Sequence, residues 1–269
     1  MKWKKTEKDG LVYYTLPHWQ ERGAKIVMTT RSGGVGKAPY DTLNLGYHVD
    51  DDKKDVGKNR EKLLAALGGN PSRFAAAKQV HGCTIQKIAA DNCRGFYSHE
   101  DAFDDTDGLF TAEKGIWLAT FYADCLPLAV FHPEKKLLGL AHAGWKGTYQ
   151  DIGGALIEAM AEEASLDPSE LWCALGAGIG SCCYEVDETF FERFCRHYEK
   201  AESWFTRFDG GKPHFDNVRA NVDLFTEKGV KRENISCLDL CTCCHRELFF
   251  SYRRDEGKTG RHGLLGALI

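Results

Sequence analysis

Leu137-Leu-Gly-Leu-Ala-His-Ala143, followed at once by Gly144-Trp-Lys-Gly-Thr148, decides how this chain is to be read. A short, almost wholly apolar run that stops at a glycine loop has the composition of a strand buried on both faces. A helix then follows over residues 149–164, with Thr148 as its expected N-cap. The same unit returns downstream: residues 171–175 read as a strand, Gly176-Ala-Gly-Ile-Gly-Ser-Cys-Cys183 as a glycine loop, and residues 187–200 as a helix.

Outward from these units, residues 23–30 read as a strand and Arg31-Ser-Gly-Gly-Val-Gly-Lys-Ala-Pro-Tyr40 as a long ordered loop. Apolar positions at Val56, Leu63, Leu64 and Leu67 predict a helix over 51–67, stopped by Gly68-Gly-Asn-Pro71. Two β-rich stretches, 75–89 and 115–131, flank an acidic loop from Glu100 to Asp107 with turn chemistry. Residues 217–228 read as a helix, 235–240 as a strand, and 249–254 as another strand or a short helix. No repeat, low-complexity tract or linker interrupts the order, so the expected fold class is α+β: a single domain over 1–269 of layered, sandwich-like β-sheets covered by helices.

Charge and hydropathy narrow the function. The 35 Lys+Arg against 39 Asp+Glu give a formal charge of -4, which offers no broad basic field for nucleic acid or an anionic membrane and favours a small-molecule partner. The longest apolar region, 115–131, is broken by Asp124, Cys125 and Pro127 and falls short of the roughly 20 apolar residues a membrane span requires. No long apolar stretch follows Met1-Lys-Trp-Lys-Lys-Thr-Glu-Lys-Asp-Gly10, so no secretory signal is expected and the localisation expected is cytoplasmic. Eleven cysteines in such a chain argue for thiols or metal ligands over a disulfide framework.

Three segments place a soft or borderline ligand where a strand ends in a turn: Lys78-Gln-Val-His81-Gly82, Ala123-Asp-Cys125-Leu-Pro127 and Ala141-His142-Ala-Gly-Trp145. A His/Cys/His set suits zinc, and three protein ligands leave the fourth tetrahedral position for water or substrate. The ligands are 44 and 17 residues apart and match no local metal motif. On spacing alone, each histidine reads more readily as a satisfied polar group at a strand end than as a ligand.

Further strings add to these three: Thr30-Arg-Ser-Gly-Gly34, Leu43-Asn-Leu-Gly46, His142-Ala-Gly-Trp-Lys-Gly-Thr148, Cys182-Cys-Tyr-Glu-Val186 and Phe250-Ser-Tyr-Arg-Arg-Asp255. With Gln79-Val-His-Gly82 and Ala123-Asp-Cys-Leu-Pro127 they make the chain resemble, over about residues 25–262, the laccase-domain, or YfiH-like, family of purine nucleoside phosphorylases, formerly grouped as multicopper polyphenol oxidases. The resemblance implies an α+β fold of sheet layers covered by helices, with zinc on His81, Cys125 and His142. It also implies phosphorolysis of adenosine, inosine and S-methyl-5'-thioadenosine to free base and (methylthio)ribose 1-phosphate, together with deamination of adenosine. Bound zinc would lower the pKa of water to about 7. Phosphate would find an anion site at the helix entry formed by Lys146, Gly147 and Thr148. Asn44 and Arg60 resemble family positions near the ligand, and Asp124, beside Cys125, would orient a ligand or exchange protons. The oligomeric state is not legible.

Other signals point elsewhere and fail. Gly176-Ala-Gly178-Ile-Gly180 lacks the glycine that a dinucleotide fingerprint requires at its sixth position, which is Ser181. Cys241-Thr-Cys-Cys244-His245 fits a haem attachment string that needs export, and it lacks a second C-x-x-C partner for a zinc ribbon, so buried thiols are expected there. None of the ten histidines forms the His-x-His pair of a trinuclear copper site, so laccase chemistry is disfavoured and copper enters only as a substitute for zinc. Three alternatives use the same residues: a thiol hydrolase with Cys125 as nucleophile, a peptidoglycan-precursor editing enzyme, and a scaffold whose zinc ties strand ends together.

Overall fold

The computed structural model describes residues 2–269. Two six-stranded sheets lie face to face. The first runs β1 (Lys4–Lys8), β2 (Leu11–Thr15), β3 (Ala24–Thr29), β14 (His262–Leu268), β7 (Trp117–Tyr122), β4 (Phe74–Ala76). The second runs β13 (Ile235–Cys237), β10 (Trp172–Leu175), β8 (Leu126–His132), β9 (Leu137–Ala143), β6 (Gly108–Thr111), β5 (Ile85–Lys87). Pairing is antiparallel except at β4–β7, β5–β6 and β10–β13. A hairpin of β11 (Phe205–Arg207) and β12 (Pro213–Phe215) stands apart.

The opening run folds as read. Every residue of β9 is buried, and its side chains alternate between two cores. Leu138 and Leu140 join Met28, Leu118 and Leu264 between the sheets. Leu137 and Ala141 face outward to α4 (Ile152–Glu163) and α6 (Asn217–Glu227), against Leu156, Met160 and Phe225. On the other side of the sandwich, Leu63, Leu64 and Leu67 of α2 (Lys53–Leu67) cover Phe74, Trp117 and Leu265. The order is helix, sheet, sheet, helices, as the layered α+β reading expects. A short helix, α1 (Pro17–Glu21), buries Trp19 against the central core, and α5 (Glu188–His197) packs Phe194 on Trp204 and Phe215 in an aromatic cluster.

The structure corrects several boundaries. The helix expected over 149–164 is two pieces, α3 (Trp145–Tyr149) and α4, and Thr148 lies inside the first instead of capping the second. The cap is Asp151, whose side chain accepts from the Gly154 N–H at 3.0 Å. Residues 249–251 are irregular and 252–257 form turns, and the C-terminal strand is β14, whose His262, Gly263 and Gly266 hide its β pattern from a sequence reading. The N-terminal pair β1–β2 also went unread. No helix among the described residues is long and apolar enough to cross a membrane.

Candidate metal and nucleoside site

His142 ends β9, Cys125 lies in the turn by which the chain crosses from β7 in one sheet to β8 in the other, and His81 lies in the loop between β4 and β5. Three distant segments therefore meet at one end of the sandwich. The ligand atoms of His81, Cys125 and His142 all lie within 4.8 Å of one another, with His81 Nε2 3.7 Å from Cys125 Sγ. Tetrahedral metal bonds of about 2.0–2.3 Å space their donors roughly 3.3–3.8 Å apart, so this set fits one ion. Gly144 keeps the space open: a Cβ there would stand 2.7 Å from His81 Cδ2 and 3.1 Å from Cys125 Sγ.

The carboxylate that orders this cluster is Asp107, fully buried at the end of the acidic loop. It accepts from His142 Nδ1 at 2.8 Å and from the backbone N–H groups of Val80, His81 and Gly82 at 3.1, 3.0 and 2.7 Å. One side chain thus fixes the His142 ring and the loop that carries His81, whose φ of 63° is a conformation few side chains adopt. With Nδ1 engaged, Nε2 of His142 is left for a ligand. Sequence reasoning saw Asp107 only as a turn residue.

Charge is stored here too. Burial opposes ionisation of both Cys125 and His142, yet each favours the other's charged form. The Cys125 thiol is lowered to about 6 with further help from His81, and the His142 imidazolium is raised to about 9 with further help from Asp107. Burial works against the Asp107 carboxylate as well, but the His142 hydrogen bond and charge, with the Gly82 and Val80 amides, hold it below the usual carboxylate range.

The three ligands form part of the wall of a pocket of about 490 Å³, within the range of small-molecule sites. Phe121, Trp145, Tyr184 and Tyr252 supply aromatic surface, and Arg253 and Arg261 supply positive charge. Gln79 clamps the wall by donating to Phe121 O at 2.9 Å and accepting from Phe121 N at 2.8 Å. The guanidinium bonds of Arg261 to the Thr259 and Gly260 carbonyls all leave from Nη1. Arg253, Arg261, Trp145 and Tyr184 were absent from the sequence-based site. Three of them lie in strings quoted above, Trp145 in His142–Thr148, Tyr184 in Cys182–Val186 and Arg253 in Phe250–Asp255, while Arg261 lies in none.

Of the other site residues read from sequence, Asp124 lines the pocket, but both its oxygens are engaged. Oδ1 accepts from Thr242 Oγ1 at 2.6 Å and Oδ2 from Arg253 N at 2.7 Å. Asn44 and Arg60 are buried away from the pocket. Asn44 accepts from the backbone of Gly46 and Arg261, and Arg60 donates to the Leu45, Gly95 and Phe96 carbonyls. Lys146 is exposed, its Nζ 5.7 Å from the Trp145 ring, and Gly147 lies on the buried face of α3. Thr148 donates to Asn217 Oδ1 at 2.7 Å and so holds α3 against α6. None of these five residues lines the pocket.

Residues 25–268 match the family described as multi-copper polyphenol oxidoreductase laccase. Over 242 residues, 89% of this chain and 88% of the relative, the sequence is 38% identical to purine nucleoside phosphorylase YlmD of Geobacillus stearothermophilus. It is 36% identical over 234 residues to purine nucleoside phosphorylase YlmD of Bacillus subtilis, covering 87% and 84% of the two chains. The crystal structure of YlmD from Geobacillus stearothermophilus is similar at a TM-score of 0.91 and 34% identity, over 98% of this chain and 97% of that one.

Proposed function

The chain belongs to the multi-copper polyphenol oxidoreductase laccase family, and on that premise we propose that it is a zinc-dependent purine nucleoside phosphorylase. Its substrates in this reading are adenosine, inosine and S-methyl-5'-thioadenosine, with deamination of adenosine as a second activity of the same centre. The observation that carries the reading is the convergence of His81, Cys125 and His142 on the wall of a pocket that also holds aromatic faces and two arginines. A mixed imidazole and thiolate set suits zinc, and zinc supplies a Lewis acid that polarises bound oxygen or nitrogen groups.

The chain's own residues do the rest. Aromatic faces such as those of Phe121, Trp145 and Tyr184 stack a purine without demanding one substitution pattern. Arg253 and Arg261 bring guanidinium groups, whose fork matches phosphate oxygens, to the same pocket. They replace Lys146, Gly147 and Thr148 as the proposed phosphate contacts. Asp124 positions Arg253 through its backbone N–H. Asp107 keeps His142 in the tautomer whose Nε2 faces the ligand.

Incubating the zinc-replete protein with adenosine, with and without phosphate, tests the reading by chromatography of the products. Phosphate-dependent adenine supports phosphorolysis, and inosine supports deamination. Neither product from a folded, metal-loaded protein overturns both. A thiol hydrolase is a second reading, favoured by the Cys125 thiol lowered to about 6 beside a protonated His142. Metal-free turnover abolished by alkylating Cys125 would select it.

A further inference from the structure

Away from the His/Cys/His set, the fold gathers a second group of metal-ligating side chains: Cys182, Cys183, Cys241 and Cys244. Cys182-Cys183 ends the glycine loop that follows β10, and Cys241 and Cys244 bound a tight turn further on, Cys244 lying 62 residues beyond Cys182 and 61 beyond Cys183. The second thiol pair that the sequence reading found missing is supplied by this adjacent pair, in a spacing that no C-x-x-C search detects.

All four sulfurs lie within 4.8 Å of one another, with Cys183–Cys244 at 3.4 Å and Cys182–Cys244 at 3.6 Å. A disulfide would bring two of them to about 2.05 Å, whereas one tetrahedral ion with metal–sulfur bonds of about 2.3 Å spaces its thiolates roughly 3.8 Å apart. A four-iron cluster binds each cysteine through its own iron and a two-iron cluster only two per iron, so four sulfurs all this close to one another surround a single ion. Cys241 Sγ also accepts the Gly180 N–H at 3.2 Å, which holds the two segments in register at the cluster. Cys182 and Cys244 are exposed, so an ion reaches the site without opening the core.

We propose that Cys182, Cys183, Cys241 and Cys244 bind a second zinc ion in a closed, all-thiolate, structural site. Four sulfur ligands leave no open position for substrate, and a soft donor set selects zinc over magnesium or calcium. The ion ties together two segments that form one side of the nucleoside pocket. Ile179 lies within the first segment and Tyr184 directly follows it, and both line the pocket. In the second, Thr242 holds Asp124 at 2.6 Å. The backbone already docks the segments, since Thr242 N–H donates to Gly178 O at 3.0 Å. The proposal does not rest on the nucleoside reading or on the first metal site.

The test uses the full chain, purified with reductant and loaded with zinc. The His81→Ala/His142→Ala variant is expected to keep one zinc per chain, and its cobalt-substituted form to show the absorption of a tetrahedral all-thiolate ion. The Cys241→Ser/Cys244→Ser variant is expected to lose that ion. The double replacement is needed because Cys243 is close enough to stand in for one ligand. Should either variant fail to fold, cysteine-alkylation mapping of the wild-type chain gives the answer. Cys182, Cys183, Cys241 and Cys244 are expected to be protected by zinc and labelled after a chelator is added. A folded His81→Ala/His142→Ala variant that binds no zinc or cobalt, or labelling of these four that zinc leaves unchanged, overturns the proposal.

Discussion

Asp107 Oδ1 lies 2.8 Å from His142 Nδ1, and this contact leaves Nε2 of His142 for a ligand. The same carboxylate collects three backbone N–H groups from Val80 to Gly82, so the ring on β9 and the loop that carries His81 share one anchor. Carboxylates that hold a metal-binding histidine in this way set both its tautomer and its orientation.

Replacing Asp107 by Asn keeps the shape and removes the charge. Metal affinity of the His81/Cys125/His142 site is expected to fall by about 10- to 100-fold, read by competition with a chromophoric chelator. Unchanged affinity in the folded variant would remove Asp107 from the site's support.

Gly144→Ala places a methyl 2.7 Å from His81 Cδ2 and 3.1 Å from Cys125 Sγ. The exposed His81 loop has room to move aside, so the variant is expected to fold with little change in Tm while metal binding weakens at least about tenfold, about 1.4 kcal/mol. Isothermal titration with zinc and a thermal melt on the same sample separate the two effects. A large fall in Tm with metal binding intact would contradict this.

His262 is fully buried at the start of β14, with no hydrogen-bond partner for either ring nitrogen among the described residues. Burial lowers its pKa from 6.5 to about 3, helped by the charges of Arg261, Arg254 and Arg31. The folded-state pKa of a base is depressed, so the unfolded chain binds the extra proton. Stability is therefore fully present above pH 6.5 and falls as pH drops toward 3, by up to about 1.4 kcal/mol per pH unit from this group. His262→Phe, among the rings of Tyr122 and Phe249, is expected to flatten that slope between pH 6.5 and pH 5 in urea titrations. A slope equal to that of the wild type would assign the acid sensitivity elsewhere.

Arg60 bears on what the sequence could reveal. Its guanidinium satisfies three carbonyls and lies 4.4 Å from the centres of both the Tyr47 and Phe121 rings. Arg60→Ala is expected to cost roughly 3 kcal/mol of stability by leaving those carbonyls unpaired, with KM for nucleoside unchanged at permissive temperature. A raised KM with unaltered stability would restore Arg60 as a ligand contact.

Helical periodicity in 51–67 and the apolar run of β9 were legible because both follow from local burial patterns. The three ligands stood out because histidine and cysteine beside strand-ending glycine or proline are chemically marked. Asp107 was not, because an aspartate in an acidic turn reads the same whether it faces water or gathers an amide 26 residues away and an imidazole 35 residues away. Asn44 and Arg60 lie off the pocket, and were not legible as such for the converse reason: polar side chains next to a ligand and polar side chains that satisfy buried backbone groups share one sequence signature. The Cys182-Cys183 pair met its partners only through the packing of two loops, which no spacing rule encodes.

Anomalous diffraction at the zinc edge, on crystals of the zinc-loaded chain, tests the proposed His81/Cys125/His142 centre most directly. The expected result is a peak bonded to His81 Nε2, Cys125 Sγ and His142 Nε2, with the fourth position open to the pocket. An absent peak at that place, or a fourth ligand from the polypeptide closing it, would contradict the assignment.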